Sequence, residues 1–163
     1  MENYIPTASE WVPSMFETIL IPTDGSEPAE RAAGKGVELA AQHGATVHAL
    51  YAVEPIPLGG LSSGPEPASA GHGKVIDEQK REAQRALDAV SEMCTDSDVE
   101  VVTTIEYGKP HDEILEYADS EGMDAIVMGT HGRSGVERVV IGSVAEKVVR
   151  RSGIPVMTVR MEK

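Results

Sequence analysis

Short apolar runs alternate along the chain with longer segments in which apolar residues recur at helical spacing. The run at residues 46–53, TVHALYAV, is mostly apolar on both faces, which is typical of a central parallel strand. Strands are predicted at residues 16–22, 46–53, 99–107, 124–128 and 155–160. Helices are predicted between them at about residues 27–42, 74–95, 110–121 and 143–152. This alternation predicts an α/β fold, an open five-stranded parallel sheet with helices on both faces.

The strand order follows from the loops after the first and fourth predicted strands. Two orders are common for such a sheet, 3-2-1-4-5 and the flavodoxin-like 2-1-3-4-5. In the first, the chain reverses between strands one and four, and ligands bind at the carboxyl ends of that pair. In this chain those ends are Thr23-Asp24-Gly25 and a glycine-rich loop over residues 129–143, the two most unusual loops in the sequence. Their coincidence favours the order 3-2-1-4-5.

The glycine-rich loop joins the fourth strand to the last helix. Gly129, Gly132, Gly135 and Gly142 allow the backbone to take positive φ angles and to approach a ligand closely. Backbone N–H groups that open onto a helix N-terminus are suited to an anion, most often a phosphate. The loop is therefore predicted to bind an anionic group.

Several residues have both a structural and a functional interpretation. Ser143 and Glu146 fit a capping box, and we predict that Ser143 both caps the helix and contacts a ligand. Asp24 either stabilises its turn or contacts a ligand, and its place where the chain reverses favours the ligand. Four scattered histidines have no metal-ligand spacing and are predicted to have no metal role: His43, His48, His72 and His111.

The 163 residues are enough for one domain with a sizeable core. Residues 1–15 are polar, with two prolines, and are predicted to be an N-terminal extension to a domain at residues 16–163. Residues 54–73 are rich in Pro, Gly and Ser and are predicted to be a flexible surface loop, either a lid or an inert linker. Cys94 is the only cysteine, which excludes an intrachain disulfide, and is predicted to be a small core residue.

The formal net charge of −13 comes from 27 acidic and 14 basic residues. Such a surface repels the phosphates of nucleic acids and anionic lipid headgroups, so neither is expected as a partner. No apolar run approaches the roughly 20 residues that span a bilayer, and the N-terminus has no signal-peptide pattern, so a cytoplasmic location is expected. The acidic, lysine-poor composition also suggests a halophilic cytosol. This hypothesis predicts that the protein unfolds at low salt, and a circular dichroism spectrum that does not change with salt would contradict it.

The spacing Gly129-x-x-Gly132, then nine residues, then Gly142-Ser143 resembles the nucleotide-binding signature of the universal stress protein family. The resemblance extends over about residues 15–160 and includes the segments PTDGSE, GTHGRSG and GSVAEKVV. A long spaced motif in its proper place is more specific than a lone GxGxxG. The resemblance implies a Rossmann-like fold of the adenine nucleotide alpha hydrolase type. It also implies an ATP-binding protein that acts as a nucleotide-dependent sensor or switch in the stress response.

The resemblance further implies which residues surround the nucleotide. The adenosine would be flanked by Pro22, Thr23 and Asp24, and adenine would meet the backbone of Ala52. The ribose and phosphates would be wrapped by Met128, Gly129, His131, Gly132, Arg133 and Ser134. The terminal phosphates would be held by Gly142, Ser143 and Val144. A Mg²⁺ ion would be held mainly by phosphate oxygens and water, with Asp24 as a possible ligand. A homodimer is implied as well, with the strands at 155–160 paired edge to edge.

The alternative is a slow ATPase or phosphotransferase that uses the same cleft. Catalysis would need a general base or a water-positioning residue near the γ-phosphate, and only Asp24 and His131 qualify. The chain has neither a GxxxxGK[ST] phosphate loop nor an SGGxDS pyrophosphatase motif. A phosphorylation receiver domain is rejected because strand one ends in a single aspartate and strand three ends at Glu106-Tyr107-Gly108. No catalytic residue is therefore predicted.

Overall fold

The computed structural model describes residues 14–56, 69–132 and 141–161. Within these residues, five strands alternate with four helices. The elements are β1 (Thr18–Pro22), α1 (Glu27–His43), β2 (Thr46–Val53), α2 (Ser69–Asp96), β3 (Val101–Tyr107), α3 (Pro110–Ser120), β4 (Ala125–Gly129), α4 (Ser143–Arg151) and β5 (Val156–Val159). The strands form one parallel sheet in the order β3-β2-β1-β4-β5, which confirms the predicted order.

β1 is the central strand of the sheet, and it pairs with β2 on one side and with β4 on the other. Ile19 is in register with Val47 of β2 and with Ala125 of β4. Ile19, Leu20 and Ile21 are 0% exposed. A parallel strand that is covered on both faces is apolar throughout, which explains why its apolar run does not alternate with polar residues.

Helices cover both faces of the sheet and enclose two clusters of buried side chains. Ile19 and Ile21 belong to the cluster that includes Val37 of α1 and further residues of α2. Leu20 belongs to the other cluster, with Ile114 of α3 and residues of α4. Neighbouring residues of β1 thus contribute to opposite faces, as the two-residue period of a strand requires.

The ends of α1 follow the predicted signals. Ser26 is the N-cap, and its side-chain oxygen accepts a hydrogen bond from the N–H of Ala29 at 3.3 Å. Gly44 closes the helix with a φ angle of +64°, and its N–H donates to the carbonyl of Ala40. A left-handed residue is needed at this position, and glycine adopts that conformation without a steric cost.

The C-terminal end of α2 sets where β3 begins. Cys94 is 0% exposed, and burial raises the pKa of its thiol to about 11, which confirms its role as a core residue. The N–H of Val99 donates to the carbonyl of Cys94 at 2.8 Å. Val99 therefore belongs to the turn that closes α2, and β3 begins at Val101, two residues later than predicted.

The predicted loop at 54–73 is wrong in its last five residues, since α2 already begins at Ser69. Val75 and Ile76 are still 44% and 48% exposed, so this end of the helix buries little apolar surface. The periodicity of buried residues could not reveal a helical turn that has no buried face. The rest of that loop at 57–68, and residues 1–13 of the predicted extension, lie outside the described residues.

Candidate functional site

A cavity of about 540 Å³ opens at the carboxyl ends of β1, β2 and β4. The chain adds β2 and β3 on one side of β1 and β4 and β5 on the other, so the cavity lies where the strand order reverses. Its volume is within the range of about 300–1,000 Å³ that is typical of small-molecule sites. The position and the size together make it the candidate functional site.

The cavity brings together most of the residues that the sequence singles out. Eleven of the thirteen predicted binding residues line it: Pro22, Thr23, Asp24, Ala52, Met128, Gly129, His131, Gly132, Gly142, Ser143 and Val144. The other two, Arg133 and Ser134, lie outside the described residues. Three strand ends and the start of one helix therefore converge on one space.

The loop after β1 is held in place by its own polar groups. The N–H of Thr23 donates to the carbonyl of Leu50 at 2.9 Å, and the Thr23 hydroxyl accepts from the N–H of Gly25 at 3.2 Å. Gly25 has a φ angle of +75°, which suits glycine. One carboxylate oxygen of Asp24, Oδ1, accepts from the N–H of Ser26 at 3.0 Å and from its hydroxyl. Asp24 thus stabilises its turn, which is the structural one of its two predicted roles.

The second carboxylate oxygen of Asp24, Oδ2, connects this loop to the glycine-rich loop. A Cβ atom added at Gly132 would lie 2.6 Å from Oδ2, so the two loops are in direct contact. At Gly142, a Cβ atom would lie 3.0 Å from the carbonyl oxygen of Thr130. Gly129, Gly132 and Gly142 do not have positive φ angles, so the prediction is wrong for these three, and Gly135 lies outside the described residues. These glycines are required by the close approach of neighbouring atoms.

Thr130 is a residue of the site that the sequence did not single out. It is 3% exposed, its N–H donates to the carbonyl of Val159 in β5 at 3.1 Å, and its carbonyl accepts from the N–H of Gly142. Its hydroxyl lies 3.0 Å from Nδ1 of the His131 ring. Thr130 therefore fixes both ends of the glycine-rich loop and the orientation of His131. A polar residue directly after a buried strand was the signal that could have identified it.

The start of α4 differs from the predicted capping box. Gly142 is the N-cap, Ser143 is the first helical residue, and no side chain of the described residues caps the helix. The N–H of Glu146 donates to the carbonyl of Gly142 at 2.9 Å, and the Glu146 carboxylate pairs with Arg150. Glycine occupies the cap position because a Cβ atom there would press on Thr130. The exposed Ser143 hydroxyl is thus left without a capping role at the edge of the cavity.

The family follows from comparison with known proteins. The universal stress protein family matches residues 15–160 of this chain. The chain belongs to the universal stress protein family. It is 37% identical to universal stress protein MJ0531 of Methanocaldococcus jannaschii, over 92% of this chain and 85% of that protein. It is 30% identical to MJ0577 of the same organism, over 90% of this chain and 96% of that protein.

Solved structures of universal stress proteins share the fold. The structure of MJ0577 superimposes with a TM-score of 0.72 at 27% identity, covering 91% of this chain and 99% of that one. UspA from Lactobacillus plantarum gives a TM-score of 0.73 at 29% identity, covering 89% and 98%. A universal stress protein from Archaeoglobus fulgidus in complex with dAMP gives 0.63 at 24% identity, covering 88% and 98%, and supports the fold alone. These similarities confirm the Rossmann-like architecture.

One wall of the cavity in this universal stress protein consists of residues that the sequence did not single out. Pro110 and Ile114 of α3 line the cavity together with Ala52 and Met128, and Ile114 is 3% exposed. Their place depends on how α3 packs on the sheet, which no local sequence pattern encodes. Glu54, which follows β2 directly, also lines the cavity. The rule that ligands bind beyond the carboxyl ends of the strands could have identified Glu54.

Several acidic residues lie on or near α3, outside the lining of the cavity. The pKa of Glu113 is raised, first by partial burial and then by the nearby carboxylates of Glu116, Glu106 and Asp112. Asp112 differs because its hydrogen bond with Arg151 at 2.9 Å holds the pKa of its carboxyl below the usual range.

The described residues contain neither a cluster of metal-ligating side chains nor a helix that could span a membrane. No three His, Cys, Asp or Glu side chains among them are grouped so that they could hold a metal ion. None of the helices in this part of the chain is both long enough and apolar enough to cross a bilayer.

Proposed function

We propose that this universal stress protein binds an adenine nucleotide, ATP first of all, in the cavity between β1 and β4. In this proposal the bound nucleotide acts as the signal of a sensor or switch in the stress response. The observation that carries it is the convergence of eleven predicted residues on one cavity of about 540 Å³. The solved structures with related folds include a universal stress protein bound to cAMP and another bound to dAMP.

The two walls of the cavity suit the two parts of a nucleotide. The apolar wall of Ala52, Pro110, Ile114 and Met128 offers a dry surface for a planar base. The other wall combines the glycine-rich loop with the start of α4. A helix N-terminus without a side-chain cap presents unpaired N–H groups to an anion, so the phosphates belong there. Arg133 and Ser134 are predicted to complete this wall.

A Mg²⁺ ion would enter with the nucleotide rather than occupy a site of its own. The carboxylate of Asp24 lies against Gly132 of the glycine-rich loop, and its Oδ1 already accepts from Ser26. Mg²⁺ keeps several waters and is commonly bound through one or two carboxylates and the phosphates of its ligand, which fits this arrangement.

We infer that the protein holds ATP rather than hydrolyses it. The alternative, a slow ATPase or phosphotransferase, needs a base or a water-positioning group at the γ-phosphate. Of the two candidates, Asp24 is engaged with Ser26 and His131 with Thr130. Neither contact prepares a base for that task, so the alternative gains no support from the site.

The experiment is calorimetric titration with ATP, AMP and cyclic AMP, each with and without Mg²⁺, together with an assay of phosphate release. We expect saturable binding of ATP and no sustained turnover. Steady phosphate release would favour the enzyme. If none of the three ligands binds, the proposal is contradicted.

The Ser143→Ala variant provides a matched test of the phosphate wall. A capping serine contributes about 1 kcal/mol to stability, whereas Ser143 does not cap α4. The variant should therefore keep the unfolding free energy of the wild type while its ATP affinity falls. Loss of stability with unchanged affinity would assign Ser143 a structural role instead.

We further propose a cytoplasmic homodimer that binds neither nucleic acid nor membranes. β5 pairs with β4 on one side only within the described residues, so its outer edge is open. Met157 of β5 is 45% exposed beside a groove lined by Leu39 of α1. An open apolar edge strand is an aggregation hazard unless it is covered, and a second copy would cover it. The net charge of −13 argues against polyanionic partners.

A further inference from the structure

β3 is an edge strand of the sheet. It pairs with β2 along all seven of its residues, and no other described strand pairs with it. The N–H of Val47 donates to the carbonyl of Glu100 at 2.8 Å, and the N–H of Gly108 donates to the carbonyl of Val53 at 2.9 Å. Because successive residues of a strand direct their N–H and C=O groups to opposite sides, the even-numbered residues of β3 bond to β2. The groups that point to the open edge belong to the odd-numbered residues Val101, Thr103, Ile105 and Tyr107.

β3 lacks the features that usually prevent another strand from adding to an edge. Such edges are commonly protected by proline, lysine, a bulge or a very short strand. The sequence of β3, VVTTIEY, contains neither proline nor lysine, and its register with β2 continues without a bulge. Its valine, threonine and isoleucine residues favour an extended backbone. Val102 and Tyr107 are 44% and 53% exposed, so the strand also presents apolar side chains to a partner.

The segment that contains β3 is acidic and has no basic residue. Residues 86–108 include six acidic residues and no Lys, Arg or His, whereas 14 basic residues accompany the 27 acidic ones in the whole chain. Among the described residues, no Lys, Arg or His forms an ion pair with any of the six. Four of them lie in β3 or directly before it: Asp96, Asp98, Glu100 and Glu106. Their charges attract a cationic partner and repel an anionic one.

We propose that the open edge of β3 binds an extended segment of another protein that carries lysine or arginine, and that this segment adds to the sheet as a sixth strand. The outward-pointing backbone groups of β3 supply the hydrogen bonds, and the acidic residues select a basic partner. A second copy of this chain does not fit the edge as well, because it would bring the same carboxylates to the contact. The edge lies on the opposite side of the sheet from β5, so this inference is independent of the proposed dimer and of nucleotide binding.

The experiment uses a synthetic peptide of about eight residues in which lysine alternates with valine, long enough to pair with the whole of β3. The same peptide with methylated backbone nitrogens is the control, because methylation keeps the charges but removes the N–H donors that a strand needs. We expect the wild-type protein to bind the unmethylated peptide about tenfold more tightly than the methylated one in calorimetry. The affinity should fall as the salt concentration rises.

Amide hydrogen exchange locates the bound peptide on the protein. Binding should slow exchange at Val101, Thr103, Ile105 and Tyr107, whose N–H groups point to the open edge. The amides of Val102 and Thr104 already bond to β2 and should change little. This alternation distinguishes strand addition from a cation-rich peptide that lies on the acidic surface without pairing.

Two variants at one position test the edge itself. Thr103 is exposed, and Thr103→Pro removes an outward N–H without removing a hydrogen bond to β2. It should weaken peptide binding about tenfold, whereas Thr103→Val keeps the backbone donor and should bind as the wild type does. If Thr103→Pro does not fold, the comparison of the two peptides on the wild type still decides.

Several results would overturn the inference. Equal affinity for the two peptides would show that charge alone is responsible, and no binding of either would show that the edge takes no basic strand. Slowed exchange at β5 instead of β3 would place the peptide on the other edge. In equilibrium sedimentation, an assembly larger than a dimer that Thr103→Pro takes apart would make a second copy of this chain the occupant.

Discussion

At the scale of single residues, Gly132 has the least space among the described glycines that line the cavity. A Cβ atom there would lie 2.6 Å from Oδ2 of Asp24, and Asp24 cannot retreat freely because Ser26 holds its other oxygen. We expect Gly132→Ala to displace one of the two loops and to lower ATP affinity about tenfold, with little change in unfolding free energy.

The control for this variant is Gly153→Ala, because a Cβ atom added at Gly153 would meet nothing within 4 Å. Calorimetry on both variants checks the expectation. ATP affinity that is unchanged in Gly132→Ala would mean that the contact between the loops does not shape the binding site.

Asp124 acts at the opposite end of the sheet from the cavity. Its Oδ2 accepts from the N–H groups of Glu17 at 2.8 Å and Thr18 at 3.0 Å and thereby joins the start of β1 to β4. These backbone hydrogen bonds, that of Glu17 first, lower the pKa of the Asp124 carboxyl. Because the folded state then holds the proton less tightly than the unfolded chain, the stabilisation is present at neutral pH. It is lost as the pH falls through the lowered pKa of the folded state.

We expect Asp124→Asn to lower the unfolding free energy by about 1 kcal/mol at pH 7, since the amide accepts more weakly than the carboxylate. The difference from the wild type should shrink once the pH falls below the ordinary pKa of an aspartate. Urea unfolding at a series of pH values measures it. A difference that stays constant down to pH 2 would show that the charge of Asp124 is not involved.

The candidate residues could be predicted where a local pattern marks them. Asp24 and Ser143 stand at chain positions that the strand order makes special, and the structure places both at the cavity. Pro110 and Ile114 could not be predicted, because only the packing of α3 against the sheet brings them there. Thr130 could have been identified as a polar residue directly after a buried strand, but the backbone hydrogen bonds with which it fixes the loop leave no mark in the sequence, because every residue type can form them.

At the scale of elements, α1 shows how a helix is fitted to the sheet beneath it. A Cβ atom at Gly36 would lie 2.6 Å from Cδ1 of Ile21 and 3.3 Å from Cβ of Val127. Ile21 is 0% exposed, so its side chain has little room to move. We expect Gly36→Ala to destabilise the protein by about 1 kcal/mol, because overpacking costs more than the gain in helix propensity.

Gly34, which lies two residues before Gly36 on the exposed side of α1, is the matched control. A Cβ atom there would meet nothing within 4 Å, so Gly34→Ala should stabilise the protein by about 0.5–1 kcal/mol through helix propensity alone. Chemical denaturation of both variants measures the two effects. Changes of the same sign would contradict the close packing of α1 on β1.

Element boundaries could be predicted where turn chemistry is strong and could not where tertiary contacts decide. Ser26 and Gly44 bound α1 as their residue types indicate. The start of α4 was assigned to the wrong cap, because the carbonyl of Thr130 leaves room only for glycine at position 142. The first turns of α2 were missed because they bury no apolar face.

At the scale of the whole molecule, the strand order could be predicted because the two unusual loops, after β1 and after β4, were expected to form one ligand site and so to lie side by side. The sheet order β3-β2-β1-β4-β5 brings the ends of β1 and β4 together, and the cavity lies between them. The apolar wall on α3 could not be anticipated, since it depends on the assembled layers rather than on any one segment.

The proposed homodimer gives a prediction at this scale. Met157→Asp places a charge on the open edge of β5 and should convert a dimer to a monomer in equilibrium sedimentation, because burying an unpaired charge is costly. Val102 of β3 is 44% exposed, close to the 45% of Met157, so Val102→Asp tests the other edge of the sheet and should leave the dimer intact. A wild type that sediments only as a monomer would contradict the proposal.

The most direct test of the central claim is to map the nucleotide on the protein by titrating the backbone amide resonances with ATP and Mg²⁺. We predict that the largest shifts occur at Ala52, Gly132, Gly142 and Ser143, at the carboxyl ends of the strands. The amide of Asp124, at the amino ends of the strands, should not move. Saturable shifts centred on Asp124, or no shifts at the cavity, would contradict the account.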